Sequence, residues 1–438
     1  MIVLKFGGTS VGTPQGMKNV YQIISRYKAD KIVVLSAISG TTNSLVEITQ
    51  YLQNNELNKA REIVKTLESH YKSFIDNLYS KQELKDQANE IIQSHWNSIK
   101  ALINDGFLIK HQNIILSQGE LMSTALFRLL MDEYNQESHL ISALDFMRID
   151  KDLEPDEFYI KQNIKHVLEK KKSSLYITQG YICRNVFGEI DNLKRGGSDF
   201  TATLIGQAII ADRIEIWTDI DGMHNNDPRC VDNTQSLKSL DFDEASELAY
   251  FGAKILHPSC VFPAQKAGIP ILLKNTMRPD ALGTTISSEK SQRSVTAIAA
   301  KDGITAIKIK SGRMLNAYGF LRSVFEVFER YKTPIDMITT SEVAVSLSID
   351  SDTYLSEIIE ELGRFGEVTI DKNQSIICIV GDFSAEKTSQ ANKIFTGLRH
   401  IPIRMISYGG SQRNVSILVS NSQKNSALQT LHTILFND

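Results

Sequence analysis

Ile2-Val3-Leu4-Lys5-Phe6-Gly7-Gly8-Thr9-Ser10-Val11 opens the chain as an apolar run that carries a lysine and breaks into paired glycines. A short strand ending this way places a cation and bare backbone N–H groups where strand meets loop. Glycine lacks Cβ, so the backbone can turn and come close to a ligand, and consecutive N–H groups form a concave nest for an anion. Standing alone, a Gly-Gly pair behind a strand is an ordinary turn. The arrangement recurs. Residues 32–35 (IVVL) break into Ser36-Ala37-Ile38-Ser39-Gly40-Thr41-Thr42-Asn43 before a helical pattern. Residues 175–178 lead through a polar segment to Arg195-Gly196-Gly197-Ser198-Asp199 and an apolar helix over 200–211, and residues 214–217 end in Thr218-Asp219-Ile220-Asp221-Gly222.

Strands alternating with helices predict a mainly parallel sheet covered by helices on both faces, with ligands bound beyond the carboxyl ends of the strands, where all four polar breaks fall. A length of 438 residues with 42% hydrophobic content calls for two or three domains. No apolar run approaches the ~20 residues that span a bilayer, and a start that runs straight into Lys5 does not read as a secretory leader, so a cytoplasmic, soluble protein is expected. A formal net charge of −3 with mixed signs offers no basic stripe for nucleic acid. The four cysteines (Cys183, Cys230, Cys260, Cys378) and the histidines lack metal-ligand spacing. A protein-held metal is therefore not expected, and any metal arrives with a nucleotide. The absence of any Gly-x-Gly triplet or Gly-Lys-Ser/Thr run removes the dinucleotide fingerprint and the P-loop.

Residues 45–103 carry apolar positions at helical spacing and are read as helices inserted after the second strand, forming an outer wall of the site. Residues 114–116 read as a further strand-like run ending in Ser117-Gln118-Gly119-Glu120, with a helix over 121–131 and Glu120 near its N-terminus. Residues 247–258 read as a helix closed near Gly252, and the polar stretch 283–294 as the domain boundary. Beyond it the chain repeats itself: Thr333-Pro-Ile-Asp-Met-Ile-Thr339 is echoed by Ile401-Pro-Ile-Arg-Met-Ile-Ser407, each after a helical run and before an alternating strand. Two such units suit a pair of small α+β modules.

Taken together, these segments, with Asp227-Pro-Arg229, Phe251-Gly-Ala-Lys254 and Ile338-Thr-Thr-Ser-Glu342, resemble the monofunctional aspartate kinases of the amino acid kinase superfamily, over essentially the whole length. The resemblance implies a three-layer αβα kinase domain over 1–290 and two ACT domains over 303–373 and 374–438, the second with a strand from 295–301. It implies transfer of the γ-phosphoryl group of ATP, with Mg2+ carried on the nucleotide, to the side-chain carboxylate of L-aspartate. The first step of lysine, threonine and methionine synthesis is such a reaction. Glutamate or N-acetylglutamate kinases share the sheet but not the Phe251–Lys254 segment with two ACT-like repeats, and a non-catalytic sensor would have lost Lys5, Asp199 or Lys254.

By the same resemblance Lys5 and Lys254 are the cations on the moving phosphoryl group, oriented by Asp199. Gly7 and Gly8 supply N–H donors, and Thr218, Asp219, Asp227 and Arg229 bind nucleotide. His224 stands where relatives often place a tyrosine near the adenine. Arg195 offers a planar fork for a substrate carboxylate, Glu120 accepts from its ammonium, and Ser39, Thr42 and Ser198 complete that side. Met314, Asp336, Thr340, Ser341 and Glu342 resemble an effector site for lysine, with Asp336 and Glu342 expected on loops flanking one helix start. Ala317 replaces a frequent serine there. Homodimerisation through the ACT-like half is also implied, without nucleic-acid or membrane partners.

Overall fold

The computed structural model describes the chain except residues 171, 195, 253–255, 292, 315–317, 385–388 and 437–438, and gives the backbone alone at 313 and 389. The described residues form two compact units. The first holds 1–223, 238–242 and 255–289, and the second holds 224–237, 243–254 and 290–438.

The first unit is built on eight strands: β1 (Ile2–Phe6), β2 (Lys31–Leu35), β3 (His139–Leu140), β4 (Leu175–Gln179), β7 (Ile214–Thr218), β8 (Ser239–Asp241), β9 (Ile271–Asn275) and β10 (Thr284–Ser287). Between β4 and β7 the chain adds a separate two-stranded hairpin, β5 (Ile182–Arg184) with β6 (Ile190–Asn192). The sheet order is β3-β4-β2-β1-β7-β9-β10-β8, parallel throughout except for the β9–β10 pair. The four strands with polar breaks, β4, β2, β1 and β7, are thus consecutive neighbours, and their carboxyl ends lie side by side. β10 occupies part of the stretch expected as a boundary, so the first unit runs on to residue 289.

Alternation along β1 divides its side chains between two layers. Ile2, Leu4 and Phe6 belong to the core shared with α1 (Pro14–Ser25), α2 (Thr41–Gln53), α3 (Leu57–Leu78), α4 (Gln82–Asn104) and α5 (His111–Glu133). Val3 and Lys5 take the other face, toward α7 (Gly197–Ile209), which shares its layer with α6 (Glu157–Lys170) and α9 (Val261–Ala267). The inserted helices are as expected. The start of α1 follows from its cap: the Thr13 hydroxyl accepts the Gly16 N–H at 2.9 Å and Pro14 occupies the first turn.

Residues 114–116 are not a strand. They lie within α5, which runs unbroken through Gly119 and Glu120, so Glu120 sits in mid-helix. By length and composition α5 could cross a membrane, but most of it is buried within the unit, against α2 and α4.

The second unit has one six-stranded sheet, β12-β13-β11-β14-β16-β15, from β11 (Val295–Lys310), β12 (Met337–Thr340), β13 (Ala344–Ile349), β14 (Glu367–Gly381), β15 (Ile403–Tyr408) and β16 (Asn414–Ser420). The long strands β11 and β14 serve two separate cores. The end of β11 with β13, α10 (Phe320–Arg330) and α11 (Leu355–Leu362) encloses one. The start of β11, the end of β14 and β16, with α12 (Ser389–Gly397) and α13 (Lys424–Phe436), encloses the other. β11 slips register against β14 between Lys301 and Ile304, where the strand passes from one core to the next. The unit also holds nearly all of α8 (Phe242–Tyr250), which closes as expected before Gly252 at φ +126°.

Candidate active site

At the carboxyl ends of β1, β2, β4 and β7 lies a cavity of about 910 Å³. Lys5 and Asp199 form its charged floor. Lys5 Nζ lies 2.6 Å from Asp199 Oδ1, and no well-aligned hydrogen bond is satisfied at that oxygen, so the contact is chiefly Coulombic. Asp199 is placed by the first turn of α7, where Gly196 holds the left-handed backbone (φ +71°) at the cap. A Cβ there would fall 2.4 Å from that of His257, so only glycine lets this loop close.

Gly8 lines the cavity and Gly7 does not. Neither has positive φ. Space favours glycine at position 8, because a Cβ would stand only 3.0 Å from the Ala37 carbonyl oxygen and the backbone would have to give by a few tenths of an ångström. The Gly7 N–H is donated to the Trp217 carbonyl at 3.1 Å, which corrects its assignment as a phosphate donor: that hydrogen bond ties β1 to β7 instead. Ser39 and Thr42 reach the wall from the β2 loop and the first turn of α2, with Gly40 at φ +85° between them. Ser198, Thr218 and Asp219 complete the expected members, and the Thr218 hydroxyl donates to Asp219 at 3.0 Å.

Glu120 projects into this cavity from mid-α5 and is 3% exposed. Its Oε1 accepts the Ala37 N–H at 3.2 Å, while Oε2 is buried without a partner among the described residues. Burial pushes its carboxyl up to about 8, and backbone hydrogen bonds, from Ala37 first, only partly oppose this. Gly119 lets α5 approach: a Cβ would stand 2.9 Å from that of Ala37. A half-partnered, nearly sealed carboxyl of this kind is suited to receive a cationic group.

Arg195 and Lys254, expected as carboxylate fork and second phosphoryl cation, lie outside the described residues. His224, Asp227 and Arg229 fall in the second unit. There the His224 ring meets the Thr234 hydroxyl at 3.0 Å, and Arg229 grips Asp227 through two nitrogens at 2.9 and 2.7 Å. That grip holds the Asp227 carboxyl below the usual range. Three cavity residues lie outside the expected set: Val46, and Tyr181 and Lys194, the last two in left-handed backbone (φ +68° and +58°). The Lys194-Arg195 pair of adjacent cations was the available signal.

Of the expected effector residues, Asp336 and Glu342 flank the strand β12 rather than a helix start. Asp336 precedes β12, and Thr340, Ser341 and Glu342 form its end and the turn into β13. Met314 ends a short helical turn after β11. Ala317 lies outside the described residues.

A cation–carboxylate pair and a glycine-framed loop at the switch of a parallel sheet match what phosphoryl transfer requires, and the sequence family agrees: residues 1–275 match the model of the amino acid kinase family, and residues 377–435 that of an ACT domain. The chain belongs to the aspartokinase family. It is 30% identical to the lysine-sensitive aspartokinase 3 of Escherichia coli, over 100% of this chain and 99% of that one. It is 32% identical to the chloroplastic aspartokinase 3 of Arabidopsis thaliana, over 99% and 81%. Its structure matches E. coli aspartokinase III in complex with aspartate and ADP with a TM-score of 0.87 at 31% identity, covering both chains completely. The lysine- and aspartate-bound form of that enzyme matches with a TM-score of 0.81. Like these aspartokinases, the chain joins a mainly parallel αβα unit to ACT modules.

Proposed function

We propose that this chain transfers the γ-phosphoryl group of ATP to the side-chain carboxylate of L-aspartate, giving 4-phospho-L-aspartate and ADP for amino-acid biosynthesis. The observation that carries the reading is the Lys5–Asp199 pair facing buried, half-partnered Glu120 across one cavity. In the reaction an aspartate oxygen forms a bond to the γ-phosphorus, and the bond to the bridging oxygen breaks with its electron pair leaving on ADP. A carboxylate nucleophile is ionised at neutral pH, so no base is needed, and catalysis is a matter of bringing anions together and neutralising charge. Lys5 and Lys254 are assigned to the moving phosphoryl group, with Asp199 fixing Lys5. Gly8, Thr218 and Asp219 are assigned to the nucleotide, with Asp227, Arg229 and His224. Glu120 takes the substrate ammonium and Arg195 a carboxylate, with Ser39, Thr42 and Ser198 donating to remaining oxygens. Mg2+ bound to the nucleotide supplies charge neutralisation, and Asp219 offers the hard oxygen donor on the cavity wall that such an ion accepts.

The two separate cores of the second unit support ACT domains over 303–373 and 374–438, the latter with strand 295–301, behind a kinase domain over 1–290. Lysine is the proposed effector, at the β12 end of the first repeat. A cytoplasmic homodimer paired through the ACT modules, without nucleic-acid or membrane partners, fits the same family pattern. Hydroxylamine trapping of the acyl phosphate, run with aspartate, glutamate and UMP, tests the reaction. Turnover of aspartate alone is expected, and preference for glutamate or UMP would overturn it.

A further inference from the structure

Asp336 is nearly sealed from solvent, its side chain only 2% exposed, and it already holds an ammonium. Lys301 Nζ lies 2.7 Å from Asp336 Oδ1 and 2.9 Å from Asp350 Oδ2. The Tyr250 hydroxyl donates to that same Oδ1 at 3.0 Å, and Lys301 lies over the Tyr250 ring, 4.9 Å from its centre. The cluster therefore contains two carboxylates and one ammonium, and Asp336 Oδ2 is buried with no partner among the described residues. Burial raises the Asp336 carboxyl above its ordinary range despite Lys301, so its charge is only partly compensated and a further ammonium is drawn to the same group.

The four residues come from separate elements. Tyr250 ends α8, Lys301 stands at the register slip of β11, Asp336 leads into β12 and Asp350 follows β13. Contact between α8 and β11 is close: a Cβ on Gly252 would fall 2.0 Å from the carbonyl oxygen of Ala300, the neighbour of Lys301. Whatever changes the Asp336–Lys301–Tyr250 contacts acts on the end of α8, four residues before Lys254.

We propose that Lys301 is an internal stand-in for the effector's ammonium, and that a ligand ammonium reaching Asp336 competes with Lys301 and Tyr250 for one carboxylate and so releases the end of α8. The proposal rests on the effector reading given above and adds how occupancy is passed on. A ligand shifts an equilibrium only by its differential interaction with the two states, and here the difference is the set of bonds it displaces. Affinity and inhibition then become separable, because Lys301 opposes binding while Tyr250 carries the consequence to α8.

The full-length protein is titrated with L-lysine by calorimetry and, in parallel, assayed for kinase activity. Tyr250→Phe keeps the ring and removes only the hydroxyl. It is expected to bind lysine as tightly as wild type or more so, yet to retain at least about half its activity at saturating lysine. Lys301→Gln removes the internal competitor and is expected to bind lysine at least about fivefold tighter. Inhibition of Tyr250→Phe to wild-type depth overturns the relay, as does unchanged or weaker binding by folded Lys301→Gln. If Lys301→Gln fails to fold, Tyr250→Phe decides alone. A wild-type protein that binds no lysine removes the effector reading itself and the relay with it, a result distinct from normal inhibition that Tyr250→Phe leaves intact.

Discussion

The ammonium of Lys5 lies 2.6 Å from the carboxylate of Asp199, with the two side chains 10 and 13% exposed. One comes from the far face of β1 and the other from the first turn of α7, so the pair fastens the end of β1 to the helix beside it. Largely withheld from water, Lys5 is oriented before substrate arrives, the condition under which a cation stabilises a transition state most.

Lys5→Ala and Lys254→Ala are each expected to lower kcat by roughly 10²-fold or more, with a much smaller change in aspartate binding, as for loss of a donor to developing charge. Asp199→Asn should fall in the same direction, since Lys5 then loses its anchor. Steady-state kinetics with calorimetric aspartate binding checks this, and near-normal kcat in either lysine variant would show the phosphate site misplaced.

The carboxyl of Glu120 gives a pH prediction. Its folded-state value, about 8, lies above the ordinary 4.5, so the folded chain holds this proton more tightly than the unfolded chain does. The associated stability is complete below about pH 4.5 and is lost as pH rises through about 8. The melting temperature of the ligand-free protein should therefore fall from about pH 5 to about pH 9 more steeply in wild type than in Glu120→Gln. The same variant should raise the KM for aspartate and leave that for ATP alone. Parallel melting curves for the two proteins would refute the buried-acid account.

The strand ends were readable because each five-residue strand is rich in apolar residues and stopped by glycines, hydroxyls or acids, and period-2 alternation then places Lys5 opposite the main core. The α5 region was not. Ile114–Leu116 is too short an apolar run to separate strand from helix by period, and its flanking Gly119 signals close packing rather than a turn. That reading put Glu120 at a helix end, whereas it reaches the cavity from mid-helix. Residues 224–237 and 243–254 cluster with the second unit through contacts distant in sequence, which no local pattern records. For the same reason nothing in the sequence marked Lys301, whose partners lie far along the chain.

Gly252→Ala should be costly where Gly409→Ala is mild. Both glycines have positive φ, +126° and +91°, but an added Cβ at 252 would meet the Ala300 carbonyl oxygen at 2.0 Å and one at 409 meets nothing within 4 Å. Gly409→Ala then carries only the left-handed backbone penalty, about 1 kcal/mol, and Gly252→Ala adds a backbone displacement at the end of α8. Thermal melts should place Gly252→Ala well below Gly409→Ala, and equal midpoints would show that α8 does not seat on β11 as described.

Glu342 offers the cleanest probe of the effector. Asp336 is buried and already bonded, so replacing it would disturb the fold and the ligand together. Glu342, by contrast, is exposed in the β12–β13 turn, and its removal leaves no buried partner stranded. Lysine carries two ammonium groups, and two carboxylates bordering one short strand offer it opposite charge that threonine or methionine, each with a single ammonium, would use only in part. Glu342→Ala should raise the lysine concentration for half-inhibition by about 5- to 150-fold, the range of an ordinary coupling energy, while kcat without lysine stays within about twofold. Dose–response curves with lysine, threonine and methionine on both proteins test this. Inhibition by threonine alone would reassign the ligand, and lysine inhibition indifferent to Glu342→Ala would move the site away from this hairpin.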